Sequence, residues 1–420
     1  MGITAAVTRV VCDTATGDQD ITTDDLGGLT PKAVFFVASR TITDGTIRTH
    51  AGIGIGAATA ADEQWAMAID AEDAQATTDV HRRAMTDECV LFLQDGNNVV
   101  DGEANFKAFV ENGCTITWGD ACSSAWLLTA VFFAGTDLSA KAGVEATCPT
   151  ENNTLDVNSV GFEPDVVFTG SNGDTIDDSN SSANGLSHGV VTNTDPIVQV
   201  CWATSSDNGE AASLLTAEIM DHYGVMQVYN EAHSYGLEFS DFDADGFSVT
   251  ARDGDASDDG FAYLALAFGG AVDFWAGVVD TPTDTGNDSQ TGPGFTPQLV
   301  HCGVTQMPAV DTVYTDANAG SIGISTFDAD NEYCSSIQDE DGQATTDCQS
   351  LSDDTAINLP DDDGSAAHVA AFVSFDANGW TWNFSATEAT AVKYWALAIE
   401  AETAANAMPM AMHYYRTMRA

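Results

Sequence analysis

The stretch most suggestive of chemistry is Asp241-Phe-Asp243-Ala-Asp245-Gly246. Carboxylates at alternate positions followed by glycine copy the first half of an EF-hand loop, where oxygen ligands surround Ca2+ and the glycine turns the chain. The twelfth position of such a loop supplies a bidentate carboxylate, and here it is Arg252, a cation that would repel the ion. The stretch therefore reads first as a structural turn. Asp241, Asp243 and Asp245 remain the candidate ligands for a structural Ca2+, Mg2+, Na+ or K+ ion. Asp253-Gly-Asp255-Ala-Ser-Asp258-Asp259 could hold a cation by the same logic. No organic cofactor is expected.

Catalytic patterns are missing. The eight histidines show no HxxxH or HExxH spacing, and GxSxG, Walker A and a helix-opening GxGxxG are absent. Ile53-Gly54-Ile55-Gly56 lies in a strand-like stretch, where glycine permits close strand packing. His81-Arg82-Arg83 is the densest basic spot, either a partner contact or an ion-pair group. Trp65, Trp202 and Tyr333 could stack on sugar faces or anchor a core. On these grounds the chain is not expected to be an enzyme.

The charge balance narrows the setting. Sixty-four acids face twelve bases, a formal charge of −52, and four of the bases are lysines (Lys32, Lys107, Lys141 and Lys393). Such charge destabilises a compact fold in dilute buffer through self-repulsion. At molar salt the Debye length shrinks to roughly 3 Å and the repulsion fades. The acids are spread along the whole length, so they indicate adaptation to high salt rather than an acidic tail. Without a basic stripe, nucleic-acid binding is not expected. No apolar run reaches the length of a membrane span and the N-terminal residues do not form a secretory signal, so neither membrane nor secretion is expected. Nine cysteines, an odd number without a CxxC pair, read as reduced core residues; one or two disulfides in an extracellular particle are the alternative.

The elements that would position these residues come in three copies. Gly28-Leu-Thr-Pro31 recurs as Gly161-Phe-Glu-Pro164 and Gly294-Phe-Thr-Pro297, so Pro31, Pro164 and Pro297 are 133 residues apart at both steps. Phe109-Val-Glu-Asn-Gly113 recurs as Phe242-Asp-Ala-Asp-Gly246 and Phe375-Asp-Ala-Asn-Gly379, and Gly113, Gly246 and Gly379 keep the same step. Gln-Ala-Thr-Thr-Asp occurs at 75–79 and again at 343–347, two steps later. Two landmarks sharing one period establish a triplication. The units are 1–140, 141–272 and 273–420, the last with a C-terminal tail. Linkers are expected near 136–156 and 271–292, the second rich in Asp, Thr, Gly and Pro.

Within a unit, short β-branched or aromatic runs alternate with turn residues, and Asn-Gly or Asp-Gly marks a hairpin. The fold class is all-β: three tandem antiparallel β-sandwiches, jelly-roll-like, each of about eight strands. One short helical stretch is expected within Ala211–Met220. The features the copies share are Gly, Pro, aromatic and turn positions; no repeated polar constellation is visible, so what was copied is fold information.

The opening Gly-Phe-x-Pro-x-x-Val-x-Phe, the Phe-Asp-x-(Asp/Asn)-Gly-Phe turn and the closing Tyr-Leu-Ala-(Leu/Phe)-Ala strand resemble β-sandwich modules in structural proteins of tailed viruses. The resemblance covers Gly28–Phe133, Gly161–Phe268 and Gly294–Ile399; unit 1 departs from it at Leu29 and Cys114. Together with the charge it implies a virion component of a haloarchaeal tailed virus, assembled in the host cytoplasm. Capsid turret or decoration, head fibre, tail fibre and baseplate roles fall within it. Implied partners are other virion proteins and a symmetric homo-oligomer, with host surface glycans or S-layer as partners in the alternative, receptor- or carbohydrate-binding reading.

Overall fold

A computed structural model describes residues 2–94, 99–182, 184–254, 259–270, 272–315, 320–361 and 364–400. The expected C-terminal tail and Asp255–Asp258 of the second acidic loop lie outside these residues. Unit 1 contains β1 (Ile3–Val11), β2 (Gly17–Thr22), β3 (Pro31–Ser39), β4 (Arg48–Thr49), β5 (Ala51–Ala60), β6 (Glu63–Ala71), β7 (Val80–Met85), β8 (Val90–Leu93), β9 (Val100–Val110), β10 (Gly113–Asp120) and β11 (Leu127–Gly135). Unit 2 contains β12 (Ser139–Glu145), β13 (Thr154–Val157), β14 (Val166–Ser171), β15 (Asn180–Ser182), β16 (Asn184–Thr192), β17 (Val198–Ser206), β18 (Leu215–Met220), β19 (Val225–Tyr229), β20 (Ala232–Asp243), β21 (Gly246–Arg252) and β22 (Phe261–Ala267). Unit 3 contains β23 (Phe274–Asp280), β24 (Gly286–Gln290), β25 (Pro297–Thr305), β26 (Ile322–Phe327), β27 (Glu332–Asp339), β28 (Cys348–Asp353), β29 (Ile357–Pro360), β30 (Ala366–Asp376), β31 (Gly379–Ala386) and β32 (Lys393–Glu400).

Each unit is a sandwich of two antiparallel sheets. In unit 1 the large sheet is ordered β1-β11-β3-β5-β6-β7 and the small one β2-β10-β9-β8, and units 2 and 3 repeat both orders. First strand pairs with last and second with next-to-last, the nesting of a jelly roll, while the middle strands form a meander. Each unit has ten such strands, not about eight. In units 2 and 3 the extra strands come from the segments read as linkers: β12 and all but the last residue of β13 fall in 136–156, β23 and β24 in 271–292. The helical stretch expected at Ala211–Met220 is also corrected. Leu215–Met220 is strand β18, whose alternate residues Ala217 and Ile219 enter a core that a helix could not fill in this register.

The two repeat landmarks hold each other. The turn glycines Gly113, Gly246 and Gly379 open β10, β21 and β31; a Cβ on each would lie 1.9, 1.7 and 1.8 Å from the carbonyl oxygens of Ile21, Val157 and Gln290. Only glycine lets the neighbouring strand approach so closely. Gly28, Gly161 and Gly294 have φ of 87°, 83° and 77°. Their N–H groups donate to Asn112 Oδ1, Asp245 O and Asn378 O, in the turn just before each strand-opening glycine. The three prolines that follow are buried where β3, β14 and β25 begin. The landmarks were copied together because they form one joint.

Within each sandwich, one face of the large sheet packs on the small sheet. In β3 this face carries Val34, Phe36 and Ala38. The opposite face carries Ala33, Phe35 and Val37, and it is equally buried, in a core to which all three units contribute. Burial on both faces explains why Ala33–Ala38 is apolar without alternation. At the centre stand Phe35, Phe168 and His301, equivalent residues two steps of 133 apart, with ring centroids 5.5, 5.4 and 5.3 Å from one another. Three equal separations between equivalent residues define a pseudo-threefold axis. The sandwiches are therefore closed around an axis rather than strung along a line.

Candidate functional site: the seams and end clefts of a pseudo-threefold ring

Each unit clasps its neighbour in two ways. The segment between the third strand of the large sheet and the next strand of that sheet reaches across to the neighbour's outer strand. From unit 2, β15 pairs with β7; from unit 1, β4 pairs with β28; from unit 3, Tyr314 bridges Ala217 of β18. The sense is the same each time, so the ring closes and the outer edge of every large sheet is covered, which blocks strand addition there.

The second clasp is a loop at the end of the axis. Across the first seam Thr78 N–H donates to Glu210 O, Gly209 N–H donates to Thr78 O, and Glu210 N–H donates to Thr78 Oγ1 at 2.9 Å. Ser213 holds Gln343 in the same way, with Gln343 N–H donating to Ser213 Oγ at 3.0 Å, and Thr346 holds Gln75, with Gln75 N–H donating to Thr346 Oγ1 at 2.9 Å. A polar constellation is thus repeated three times, contrary to the expectation that none exists. It was hidden because unit 2 writes it as Glu210-Ala-Ala-Ser213 where units 1 and 3 write Gln-Ala-Thr-Thr. The recurring pentapeptide was its visible trace. Its chemistry is ring closure: each hydroxyl accepts a backbone amide of the neighbouring unit.

Aromatic wedges complete the seams. Trp65 is fully buried; its Nε1–H donates to Tyr263 O of unit 2 at 2.9 Å, and its ring lies 3.4 Å from where a Cβ on Gly170 would sit. Trp202, also fully buried, covers Gly303 of unit 3. Tyr333 lies beneath Arg9 of unit 1, whose guanidinium carbon is 4.6 Å from the ring centre. Two fully covered rings and one capped by a cation offer no platform to a sugar, and the anchor reading holds for all three. Strand register makes Trp65 equivalent to Tyr333 and places Trp202 two residues further along.

Scarce basic residues concentrate in unit 1. Seven of the twelve lie in unit 1 and an eighth, Lys141, opens unit 2; Arg9, Arg82 and Lys141 each reach a neighbouring unit. Arg9 donates to Thr129 Oγ1 and Asp44 in its own unit and to the carbonyls of Asp353 and Cys334 in unit 3. Burial lowers its pKa while Asp44 opposes the shift. His81-Arg82-Arg83 lies on β7 opposite β15; Arg82 pairs with Asp174 of unit 2 at 3.4 Å, and His81 faces Asp70 and Asp79. The basic spot is an ion-pair group at a seam. Lys141 of unit 2 donates to Glu63 of unit 1 at 2.6 Å.

The seam between units 2 and 3 is built differently. Among the described residues no lysine or arginine ion pair crosses it; Arg252 pairs with Glu238 and Lys393 with Asp280, each inside its own unit. Histidines cross instead. His188 Nε2 and His301 Nε2 are 2.8 Å apart, and both rings are fully buried. His188 Nδ1 donates to Thr169 O at 2.8 Å, which leaves its Nε2 as acceptor. His301 must then donate from Nε2 and accept at Nδ1 from Thr326 Oγ1, 2.7 Å away. Both imidazoles are neutral in this arrangement, and burial pushes His188 down to about 4 and His301 well below its ordinary value. Near the surface of the same seam, His222 lies 3.4 Å from Asp221 and 3.2 Å from Asp311. These three exposed side chains gather their potential ligand atoms within 4.8 Å, and sequence spacing did not bring them together because Asp311 comes from another unit.

Asp241, Asp243 and Asp245 are exposed at a two-residue hairpin between β20 and β21, where Asp243 pairs with Gly246. Asp241 accepts from the N–H of Phe242, and slight desolvation together with the neighbouring Asp241 and Asp245 carboxylates raises the pKa of Asp243. The turn is the structural element the sequence suggested, and the three carboxylates do not converge as the His222 group does. Arg252 pairs with Glu238 at 2.8 Å. All nine cysteines are buried and unpaired. Among the described residues no helix is long and apolar enough to cross a membrane.

Two open clefts of similar size occupy equivalent places beside the third strand of units 1 and 3. The unit 1 cleft is about 390 Å³ and is walled by Arg48, Trp126 and several hydroxyl side chains. The unit 3 cleft is about 370 Å³, with Asp361 and Glu388 in its wall and Val392 where unit 1 has Trp126. No protein-family model matches the chain, and a search among curated proteins returns no match.

Proposed function

We propose that the chain is a non-enzymatic virion component of a tailed virus of halophiles, a capsid decoration, turret or fibre-type part. The observation that carries this reading is the closed pseudo-threefold ring. One polypeptide offers three equivalent faces about an axis, so a single copy matches a threefold or quasi-threefold position of a shell without oligomerising first. The residues repeated in all three units close the ring, which favours a scaffold over a catalyst. Other virion proteins are then the partners, and any homo-oligomer would be an assembly of rings. The particle, built in the host cytoplasm, is the place to look. Mass spectrometry of purified virions should detect the chain, and particle reconstructions should place single copies on threefold-related positions. Its absence from purified particles would remove the reading. The alternative, a receptor- or glycan-binding tail part, draws its support from the cleft at Arg48 and Trp126.

A further inference from the structure

We infer that Asp221, His222 and Asp311 form a site for a divalent transition-metal ion, suited to Zn2+, that pins the seam between units 2 and 3. Each clasp segment makes the same turn where it meets its neighbour's outer strand. Gly45, Asp178 and Asp311 stand 133 residues apart, with φ of 69°, 64° and 55°. Gly45 N–H donates to Ser352 O at 2.8 Å and Asp311 N–H to Ile219 O at 2.9 Å, so one backbone plan serves both joints. Strand register makes Thr86, Asp221 and Asp354 the counterparts on the other side of the joint. The side chains differ. Asp178 accepts from Thr86 N–H at 2.8 Å, with Thr86 Oγ1 3.4 Å from the same oxygen, so acceptor meets donor. Gly45 brings no carboxylate to its joint. At the third joint Asp311 meets Asp221, acceptor against acceptor, and His222 lies between them. Among the described residues no other three such side chains bring their ligand atoms so close.

The distances fit an ion better than a hydrogen bond. His222 Nδ1 is 3.4 Å from Asp221 and 3.2 Å from Asp311. A ring nitrogen carries at most one proton and cannot serve two carboxylates, whereas an ion at the centre serves all three groups. A tetrahedral ion with bonds of about 2.1 Å holds its ligand atoms about 3.4 Å apart, so two edges of such a site are already set. The third lies within 4.8 Å, and both aspartates are exposed, so rotation of either side chain closes it. Partial burial raises the pKa of Asp311, and Asp221 and Glu218 raise it further against the opposing effect of His222. Negative charge is thus crowded at this joint. An imidazole ligand selects against Mg2+ and Ca2+, which take oxygen, and favours zinc and its neighbours. The Tyr223 ring, 4.3 Å from the imidazole between centroids, steadies His222. A bound ion gives this seam what Arg82 and Arg9 give the other two, positive charge between units.

The test uses the full chain in about 2 M NaCl, which screens diffuse attraction of cations to the acidic surface. After chelator treatment, Zn2+ is titrated by calorimetry, with Mg2+ in excess, into wild type, His222→Gln, Asp311→Asn, Asp221→Thr and Asp243→Asn. Asp221→Thr installs the residue found at the Thr86 joint, and Asp243→Asn controls for an exposed acidic hairpin. Wild type and Asp243→Asn are expected to bind one Zn2+ per chain, and the other three about tenfold or more weakly. Zinc should slow hydrogen exchange at Asp311 and Tyr314 in wild type and not in His222→Gln. Co2+ in wild type should give the visible absorption of a tetrahedral site, a readout that needs no variant. Melting temperatures matched in chelator would assign the losses to the ligands rather than to the fold. Failure to saturate at one ion per chain, equal affinity in His222→Gln, displacement by Mg2+, or binding without slowed exchange would overturn the inference. None of these outcomes depends on whether the chain is found in a virion, so failure here leaves the proposed function standing.

Discussion

Two kinds of seam close one ring. Those that involve unit 1 are held by arginines and lysines, the permanent cations of Arg9 and Arg82 among them. The seam between units 2 and 3 has the same backbone clasps, and among the described residues histidines instead of lysine or arginine cross it: the buried His188–His301 bond and the exposed His222 between two aspartates. The comparison teaches that backbone geometry was conserved across copies while electrostatics diverged. In a chain of net charge −52, where a cation is placed is more informative than where an anion is.

The largest effect that would sharpen this contrast comes from salt. Lowering NaCl from about 3 M to about 0.3 M restores self-repulsion and should reduce Tm by more than about 10 °C. The loss should begin at the histidine seam. Hydrogen exchange at Ala217 and Tyr314 should rise before exchange at Arg82 and Ser181, and the reverse order would break the comparison. Next in size is Arg9→Met, which leaves Asp44 and two carbonyls of unit 3 without their donor. It should cost about 1–3 kcal/mol, read from denaturation midpoints, because part-buried carbonyls lose a charged donor while Asp44 stays in contact with solvent.

The histidine seam should be the one that feels mild acid. His188 titrates near 4 in the fold and about 6.5 unfolded, so between these values the unfolded chain holds more protons. Stability is complete above about pH 6.5 and falls as pH drops toward 4, by about 2 kcal/mol at pH 5 from His188. Glu88, raised to about 8, and Asp339, raised to about 7, act in the opposite sense, losing stability as pH rises through those values. The double variant His188→Ile/His301→Phe installs the residues found at the equivalent positions, Ile55 and Ile324, and Phe35 and Phe168. Its melts at pH 5 and pH 7.5 should differ by less than those of wild type; identical differences would remove the titration argument. Smallest are the hydroxyl clasps. Thr78→Val, Ser213→Ala and Thr346→Val should each cost about 1 kcal/mol, nearly alike, since all three accept one backbone amide. A much larger loss at one of them would show that the backbone plan is not shared equally.

The sandwich, the triplication and the turn joints were legible because they are local: Pro31 and Gly113 announce themselves within a few residues. Ring closure was not, since Gln75 meets Thr346 and Glu210 meets Thr78 only after folding. The run Ala33–Ala38 did carry a usable signal, because an apolar strand without alternation must be covered on both faces. Strands β13 and β24 passed for linkers because they edge the small sheets, and their Asp, Asn and Gly residues reflect exposure rather than poor pairing. Of the candidate site residues, Trp65 and Trp202 were visible as types, but only burial decided between platform and wedge. Arg48 and Trp126 were not singled out, being far apart in sequence.

Joining three copies in one polypeptide has a kinetic corollary. A ring of separate subunits assembles at a rate set by encounter and can fall apart on dilution. Here the partners stay tethered at high effective concentration, so closing the ring is a first-order event and dilution cannot undo it. Tethering also frees each position on the axis: a trimer of identical chains could not carry one histidine there without carrying three.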